Sequence, residues 1–493
     1  MAAANPATPT GAETRAGDES PRRLPRLRRA WLIGPAAIAA LSVVIRLVYG
    51  RGWEHYDAIY SLIWGGELAG GHKPPDIGAL ASPTEHPLAN FVGMLLSPLR
   101  FAHQLALLEL ISVVSLAAIG YFAFRLGQTL FNVAVGAAFA LILLTAPFLV
   151  SQTLESSSDV PFLALVLAAV ALEAQRTRRG WQVMALLALA GLLRPEAWLL
   201  AAAYWLWLWP VLSPRARLGL AVLGAAPAVV WLGFDAWATG DPLKSLTGTQ
   251  AAAAHIHRPT GLFTAVRHGP GDLVSVYGKW IAAGGLVGFL ASLWLLRRRA
   301  LLPAVVIALG CLAFVAIGTA QLSLISRYLF IPATMVALMC AVAAFGWLSL
   351  DPDGASGRWR RWWMIGGSVV FVVVAVGFGR QAADNLPGIS RDAARTSRDD
   401  AALRLLLAQT PVQSALQRCG PLQTNDFRAR PMVALLRGTH PFDYVLVHSR
   451  TAAHPPGIYL DNIRQPHSGS VASGFFILGR LGPWTLYDSC SVT

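Results

Sequence analysis

The chain has 493 residues, of which 55% are apolar and only 13% are charged. This composition excludes an ordinary soluble globule and is typical of a membrane protein with many spans. The formal net charge of +14 does not indicate nucleic-acid binding, because the arginines are spread over short loops and form no contiguous stripe with interleaved aromatic residues.

A basic segment precedes the first apolar segment. Residues 1–29 are poor in large apolar residues and predict a disordered basic tail. After them, eleven apolar segments are long enough, or nearly so, to cross about 30 Å of hydrocarbon as helices. We therefore predict a polytopic α-helical transmembrane domain over residues 30–379. Its segments are 30–49, 104–124, 129–150, 160–175, 181–193, 197–212, 217–237, 279–296, 300–318, 328–348 and 362–379.

The arginines give the orientation of these segments. Positive charges stay on the cytoplasmic side of short loops, and every second loop of this chain is basic. This alternation predicts an integral protein of the plasma membrane with a cytoplasmic N-terminus. The arginines that carry the signal are Arg22, Arg23, Arg26, Arg28, Arg29, Arg125, Arg176, Arg178, Arg179, Arg215, Arg217, Arg297, Arg298, Arg299, Arg358, Arg360 and Arg361.

Residues 380–493 form a soluble tail that this topology places outside the cytoplasm. The segments 444–447 and 474–479 predict short strands, and 398–409 and 431–437 predict short helices, so we expect a small α/β domain. Cys419 and Cys490 lie in this tail, and the oxidising compartment favours a disulfide between them. The alternative is two unrelated thiols. Cys311 and Cys340 lie inside apolar segments, where a thiol usually serves as a small hydrophobe.

Acidic residues are scarce in this chain, yet several of them gather on the predicted outer side. Acids near hydrocarbon are costly and usually functional, and packed spans would bring these loop ends into one cavity. Two of them open the first outer loop, residues 50–103, and a third closes it. The acids on this side are Glu54, Asp57, Glu85, Glu155, Asp159 and Glu196.

Several strings of residues resemble those of a known superfamily. The first outer loop opens with "GWEHYDAIYSLIWGGEL" at 52–68 and closes with "PTEHPL" at 83–88. Further strings follow in order: "ESSSDVPFLAL" at 155–165, "GLLRPEAW" at 191–198 and "SRYLFIPA" at 326–333. In order and topology these resemble the GT-C superfamily of glycosyltransferases, which includes the protein O-mannosyltransferases and the aminoarabinose transferase of lipid A.

The resemblance implies a transferase that takes its sugar from a polyprenyl-phosphate donor. In such enzymes an aspartate early in the first outer loop is the general base on the acceptor hydroxyl, which points to Asp57, with Glu54 as the second candidate. A carboxylate is needed because a sugar hydroxyl is a poor nucleophile until its proton is taken. Glu54 and Asp57 stand three residues apart, so on a helix they would share a face. The alternative for Asp57 is a solvated loop acid or a helix cap.

The attack would invert the anomeric centre of a mannose-class or pentose-class sugar. The acceptor is a glycolipid, a polysaccharide or a protein. Asp57 is followed by Ala58, whereas the protein O-mannosyltransferases have an aspartate-glutamate pair. This difference argues against a protein acceptor.

The departing lipid phosphate needs cationic partners. Arg194 and Arg327 lie at outer ends of predicted spans, and an arginine fork matches phosphate oxygens. The alternative is an ion pair, because Arg194 could hold Glu196 or Asp159. Lys279 is a further candidate, although it could also snorkel toward the headgroups.

Histidines complete the predicted site. His86 precedes a predicted helix start and either contacts substrate or caps the helix. His255 and His257 lie in an outer loop, where they could hydrogen-bond a phosphate or a sugar. With Asp241 they are also a weak candidate for a divalent metal site, and otherwise we expect no cofactor. The remaining substrate-binding candidates are Glu85, Asp159, Glu196 and Tyr328.

Two competing functions remain open at this point. A lipid or glycan transporter would also have many spans, but it would place ionisable groups near the middle of the membrane and show repeated halves. The predicted spans are almost free of charge, and the sequence has no internal repeat. A non-catalytic scaffold for envelope assembly is the other alternative, and it would tolerate loss of Asp57.

Overall fold

The computed structural model describes residues 27–79, 82–353, 357–419, 421–447, 456–465 and 473–490, together with residues 453 and 471. The predicted disordered tail lies outside these residues, except that 27–29 already belong to the first helix. The transmembrane part contains α1 (Leu27–Tyr49), α2 (Tyr56–Ala69), α3 (Pro87–Leu96), α4 (Phe101–Leu130), α5 (Val133–Thr145), α6 (Pro147–Leu154), α7 (Asp159–Gln175), α8 (Trp181–Gly191), α9 (Glu196–Leu208), α10 (Pro214–Thr239), α11 (Lys244–His255), α12 (Leu262–Tyr277), α13 (Lys279–Leu295), α14 (Arg297–Thr319), α15 (Phe330–Phe345) and α16 (Gly357–Leu407).

Each of the eleven predicted apolar segments is mainly helical, although 129–150 is interrupted at residues 131–132 and at Ala146. The chain is a polytopic membrane protein. Five described helices are long and apolar enough to span a membrane: α4, α10, α14, α15 with its flanking turns, and α16. The number rises to seven if each of two bent pairs is one span. The pair α5 and α6 bends by 55° just before Pro147. The pair α12 and α13 bends by 107° at Gly278, whose φ of 93° favours glycine.

Helices α2 and α3 bring both ends of the first outer loop together. They cross closely because Gly65 and Gly93 meet at the crossing, where a Cβ on either residue would collide with the backbone of the other helix. The backbone N–H groups of Trp53 and His55 donate to the carbonyls of Leu154 and Glu155, at 2.7 and 3.0 Å. These two hydrogen bonds therefore hold the start of α2 against the end of α6.

Helix α16 extends far beyond its apolar part. It runs for 51 residues through Pro387, so the predicted boundary at residue 380 falls inside a continuous helix. Its end carries the predicted helix 398–409. The C-terminal domain then adds α17 (Thr410–Arg418), α18 (Ala429–Arg437), β1 (Leu422–Thr424), β2 (Val445–Leu446), β3 (Ile458–Asn462), β4 (Phe476–Leu481) and β5 (Trp484–Asp488).

The five strands form one mixed sheet in the order β2-β1-β3-β5-β4. Strand β1 is parallel to β2 and to β3, and β5 is antiparallel to β3 and to β4. The predicted small α/β domain is therefore present. A disulfide joins Cys419 to Cys490, with 5.6 Å between their Cα atoms, which confirms the predicted pair. It ties the end of α17 to the end of β5.

Candidate active site

Asp57 lies in the first turn of α2, where the helix dipole favours a negative charge. Its Oδ2 atom is 3.6 Å from Nδ1 of His55, and its side chain is 21% exposed. The other carboxylate oxygen has no hydrogen-bond partner. Burial opposes ionisation, but the contact with His55 and the charge of Arg327 outweigh it and lower the pKa of Asp57. Asp57 is therefore an ionised carboxylate with one oxygen free to accept a proton.

Arg194 is the centre of a buried ion network. It lies between α8 and α9, is 4% exposed, and donates from Nε and Nη2 to Oε1 of Glu196 at 3.1 and 2.7 Å. Its Nη1 atom pairs with Oδ1 of Asp159. The ring of Tyr328 lies 4.6 Å from the guanidinium carbon. The ion pairs considered from the sequence are thus both present, and Arg194 is occupied by protein partners.

Arg327 is bound less completely. It lies in the turn just before α15, its side chain is 35% exposed, and its Nη1 atom is 3.6 Å from Oδ2 of Asp159. Neither Nε of Arg327 nor Oδ2 of Asp159 has a hydrogen-bond partner. Asp159 therefore bridges the two arginines, and Arg327 keeps donor capacity for a ligand.

His86 occupies the N-cap position of α3 without a side-chain capping hydrogen bond, and it faces this network. Its ring lies 6.1 Å from the ring of Trp231 on α10, in a T-shaped contact. Burial lowers the pKa of His86 to about 4, so the imidazole is neutral at physiological pH. Its Nδ1 atom is buried without a hydrogen-bond partner. Asp57, His86, Asp159 and Arg327 thus each present an unsatisfied polar atom, which is what a site for a polar ligand requires.

The other predicted residues lie elsewhere. Glu54 precedes α2, so it shares no helical face with Asp57, and the charged groups around it are Arg404, Glu109 and Asp400. Glu85 is buried beside Asp235 and Ser245. Three further candidates are exposed. They are Lys279, which lies over the ring of Trp280, and His255 and His257.

Two cavities meet at the candidate site, and Ser157 lines both. The first has a volume of about 530 Å³ and runs between α3, α4, α7 and α8. It is almost wholly apolar, apart from Asp57, His86 and six serines: Ser61, Ser112, Ser115, Ser156, Ser157 and Ser158. The α4 residues that line it extend from Leu108 to Phe122, which corresponds to a depth of about 20 Å.

The second cavity has a volume of about 400 Å³ and a polar lining. The sequence did not indicate three of its polar lining residues, Asp272, Ser275 and Ser326. Ser326 donates to Asp272 at 3.3 Å and accepts from Ser275 at 2.9 Å. Asp272, one of two acids in the segment 238–277, is a signal that could have found this part of the lining. The lining residues are His55, Phe148, Gln152, Glu155, Ser157, Asp272, Ser275, Leu324, Ile325, Ser326 and Arg327.

Within the described residues, one group of three potential metal ligands is close enough to share an ion. It consists of Cys419, Asp488 and Cys490, and its two cysteines form the disulfide. His255 and His257 do not form such a group with Asp241.

No protein-family model matches the chain, and no curated protein matches it. Solved structures do. ArnT from Cupriavidus metallidurans bound to undecaprenyl phosphate is 13% identical, with a TM-score of 0.53 over 94% of this chain and 98% of that chain. The apo state of the same protein is 14% identical with the same TM-score. An oligosaccharyltransferase from Archaeoglobus fulgidus aligns with a TM-score of 0.48 at 13% identity, over 87% of this chain and 68% of that chain.

Proposed function

We propose that this chain, which has the fold of GT-C membrane glycosyltransferases, transfers a sugar from a polyprenyl phosphate to an acceptor hydroxyl. One observation carries the proposal. An ionised carboxylate, Asp57, with an unpartnered oxygen lies at the polar end of a deep apolar cavity, next to the incompletely bound Arg327. The structural neighbour ArnT was solved with undecaprenyl phosphate, a lipid of the class proposed here.

The lipid would occupy the apolar cavity. Its walls on α4 and α7 are mostly aliphatic and run about 20 Å into the bundle, so a prenyl chain would bury apolar surface along most of that depth. Its phosphate would then lie at the end where this cavity meets the polar one, beside Arg327, with the sugar between the phosphate and Asp57. The neutral imidazole of His86 can hydrogen-bond a phosphate or a sugar without adding charge.

The polar cavity would hold the acceptor. In the transfer, Asp57 takes the hydroxyl proton while the acceptor oxygen bonds to the anomeric carbon. The bond from that carbon to the phosphate oxygen breaks, and the polyprenyl phosphate leaves with the electron pair. Attack opposite the phosphate inverts the anomeric centre. Arg327 stabilises the charge that builds on the phosphate, because charge-assisted hydrogen bonds strengthen as the acceptor becomes more negative.

The sugar is of the mannose or pentose class, and the acceptor is a glycolipid, a polysaccharide or a protein. The basic loops support an N-terminus in the cytoplasm. Under this topology the site and the C-terminal domain lie on the outer face of the plasma membrane.

Purified protein in nanodiscs, supplied with radiolabelled polyprenyl-phosphate mannose or a polyprenyl-phosphate pentose, tests the proposal. We expect Asp57→Asn to lower the turnover of sugar about 10²-fold to 10⁴-fold, the usual contribution of a general base. Glu67→Gln is the matched control, since Glu67 lies on the same helix and pairs at 3.4 Å with the exposed His72. Equal turnover by wild type and Asp57→Asn would refute the assigned base. Movement of lipid across the bilayer without any turnover would favour a transporter.

A further inference from the structure

A second pair of acids lies behind His86 and is not used in the proposed chemistry. Glu85 is 1% exposed and Asp235 is 3% exposed. Asp235 lies near the end of α10, and Ser245 lies in the first turn of α11. Two carboxylates at such a place cannot both be ionised without a large electrostatic cost.

The two acids differ in their hydrogen bonds. Asp235 accepts from the backbone N–H of Ser245 at 2.8 Å and from its hydroxyl at 2.7 Å. Neither oxygen of Glu85 accepts a hydrogen bond. Asp235 thus has two donors and Glu85 has none, and burial together with the neighbouring Asp235 raises the pKa of Glu85 to about 9. Burial without any donor makes Glu85 a carboxylic acid at neutral pH, and Asp235 is the neighbouring acceptor available to its O–H.

The pair fixes the segment that carries His86. Trp231 lies one turn before Asp235 on α10 and contacts the imidazole ring, with 6.1 Å between the ring centroids. On the other side of the acid pair, the hydroxyl of Thr84 hydrogen-bonds that of Thr249 on α11 at 2.8 Å. The segment is thus held by α10 and α11 on one side and presents His86 to the candidate site on the other.

We propose that Glu85 is a positioning residue, which acts as a protonated acid that binds Asp235 and thereby holds His86 in place beside Asp57. When Glu85 ionises, the hydrogen bond is lost and two like charges face each other in a buried site. The segment then moves away from α10, and turnover falls. This inference rests on the proposed transferase function for its activity measurement, but not for its stability measurement.

Few titratable groups face Glu85, so a change in activity with pH can be assigned to it. The charged or titratable groups that face it are Asp235 on α10 and the neighbouring His86. On α11, Ser245 is neutral, and the side chain of Lys244 packs against Gly78. The pKa of Asp57 is lowered and that of His86 is about 4. Among these groups, Glu85 is the one whose shifted pKa predicts loss of turnover near pH 9.

The test compares wild type, Glu85→Gln, Glu85→Ala and the control Glu67→Gln. In nanodiscs, kcat/KM of wild type and Glu67→Gln should fall tenfold for each pH unit above about 9. Glu85→Gln keeps an N–H donor for Asp235 at every pH, so its activity should not fall above about pH 9. Glu85→Ala should be at least tenfold less active at every pH. An alkaline fall that persists in Glu85→Gln would refute the proposal, as would wild-type behaviour of Glu85→Ala.

Thermal unfolding gives a measurement that needs no substrate. The folded-state pKa of Glu85, about 9, lies above its ordinary value of 4.5. The folded protein therefore binds the extra proton between these two values, and its stability falls as pH rises until about pH 9. We expect the Tm of wild type to decline relative to that of Glu85→Gln across this range and to level off above it. Parallel Tm curves would overturn the inference even if no sugar were ever transferred.

A divalent cation between the two acids is the competing explanation. If one were bound, EDTA would lower the Tm of wild type and metal analysis of the purified protein would find about one ion per chain. If either result were found for wild type and were absent in Glu85→Gln, a bound metal ion rather than a proton would link the two acids. An unchanged Tm with EDTA supports the proton.

Discussion

Arg327 and Arg194 provide the most discriminating prediction, because the contacts of these neighbouring arginines indicate different roles, one in catalysis and one in stability. Arg327 has an unpartnered Nε and a single ion pair at 3.6 Å. Arg194 is enclosed by Asp159 and Glu196. We therefore expect Arg327→Gln to impair catalysis in a folded protein and Arg194→Gln to impair folding.

The expected magnitudes follow from these contacts. A hydrogen bond to a charged group contributes about 1.5–3 kcal/mol, so loss of two such bonds from Arg327 to the phosphate corresponds to a fall in kcat/KM of about 10²-fold to 10⁴-fold. Arg327→Lys keeps the charge but not the fork, and it should lose about half of that free energy. Removing Arg194 leaves Glu196 and part of Asp159 without a counter-charge, which destabilises a buried site by about 3–5 kcal/mol.

The assay measures sugar release in nanodiscs together with the Tm of each variant. We expect Arg327→Gln to retain the wild-type Tm and Arg194→Gln to lower it. Should Arg194→Gln keep its Tm while turnover disappears, and Arg327→Gln remain active, the two assignments would have to be exchanged.

Two further predictions concern the lipid and the pH. Ala164→Phe places a ring in the apolar cavity, where it would compete with the prenyl chain for space and should raise the KM for the donor lipid about tenfold, or about 1.4 kcal/mol. Leu189→Phe on the exposed face of α8 should leave this KM unchanged. Equal KM values for the two variants would place the lipid elsewhere. Burial and the charge of Glu109 raise the pKa of Glu54 from 4.5 to about 7, so the folded protein takes up a proton and loses stability as pH rises through this range. Glu54→Gln should therefore make Tm less dependent on pH between about 4.5 and 7, while an unchanged dependence would show that Glu54 does not titrate as proposed.

The membrane fold was predictable because long apolar segments have few alternatives in a bilayer. The C-terminal domain was predictable only in part. Strand β3 is buried at every position, including Asp461 and Asn462, so its sequence lacks the alternation that marks a strand with one exposed face. The unbroken α16 was not expected because Pro387 and the charged residues after it are typical of a helix end.

The candidate site was likewise predictable from the sequence only in part. The grouping of Asp57 with Arg194 and Arg327 follows from the predicted topology, which places all three at helix ends on one side of the membrane. The separation of Glu85 from His86 does not, because it depends on the directions of two adjacent side chains, which the contacts with α10 and α11 determine. The polar cavity also depends on the bend of 107° between α12 and α13. Gly278 permits this bend, but the pattern of apolar residues does not indicate its angle.

Helix α2 links the soluble domain to the chemistry. One face of this helix lines the apolar cavity through Asp57, Ala58, Ser61 and Leu62. The opposite face belongs to the core of the C-terminal domain through Ile59, Tyr60, Ile63 and Trp64. The ring of Tyr56 also contacts that of Phe427, with 5.6 Å between their centroids. A helix buried on both faces cannot rotate without opening one of two cores. The position of the Asp57 carboxylate is therefore set by the C-terminal domain as much as by the membrane bundle.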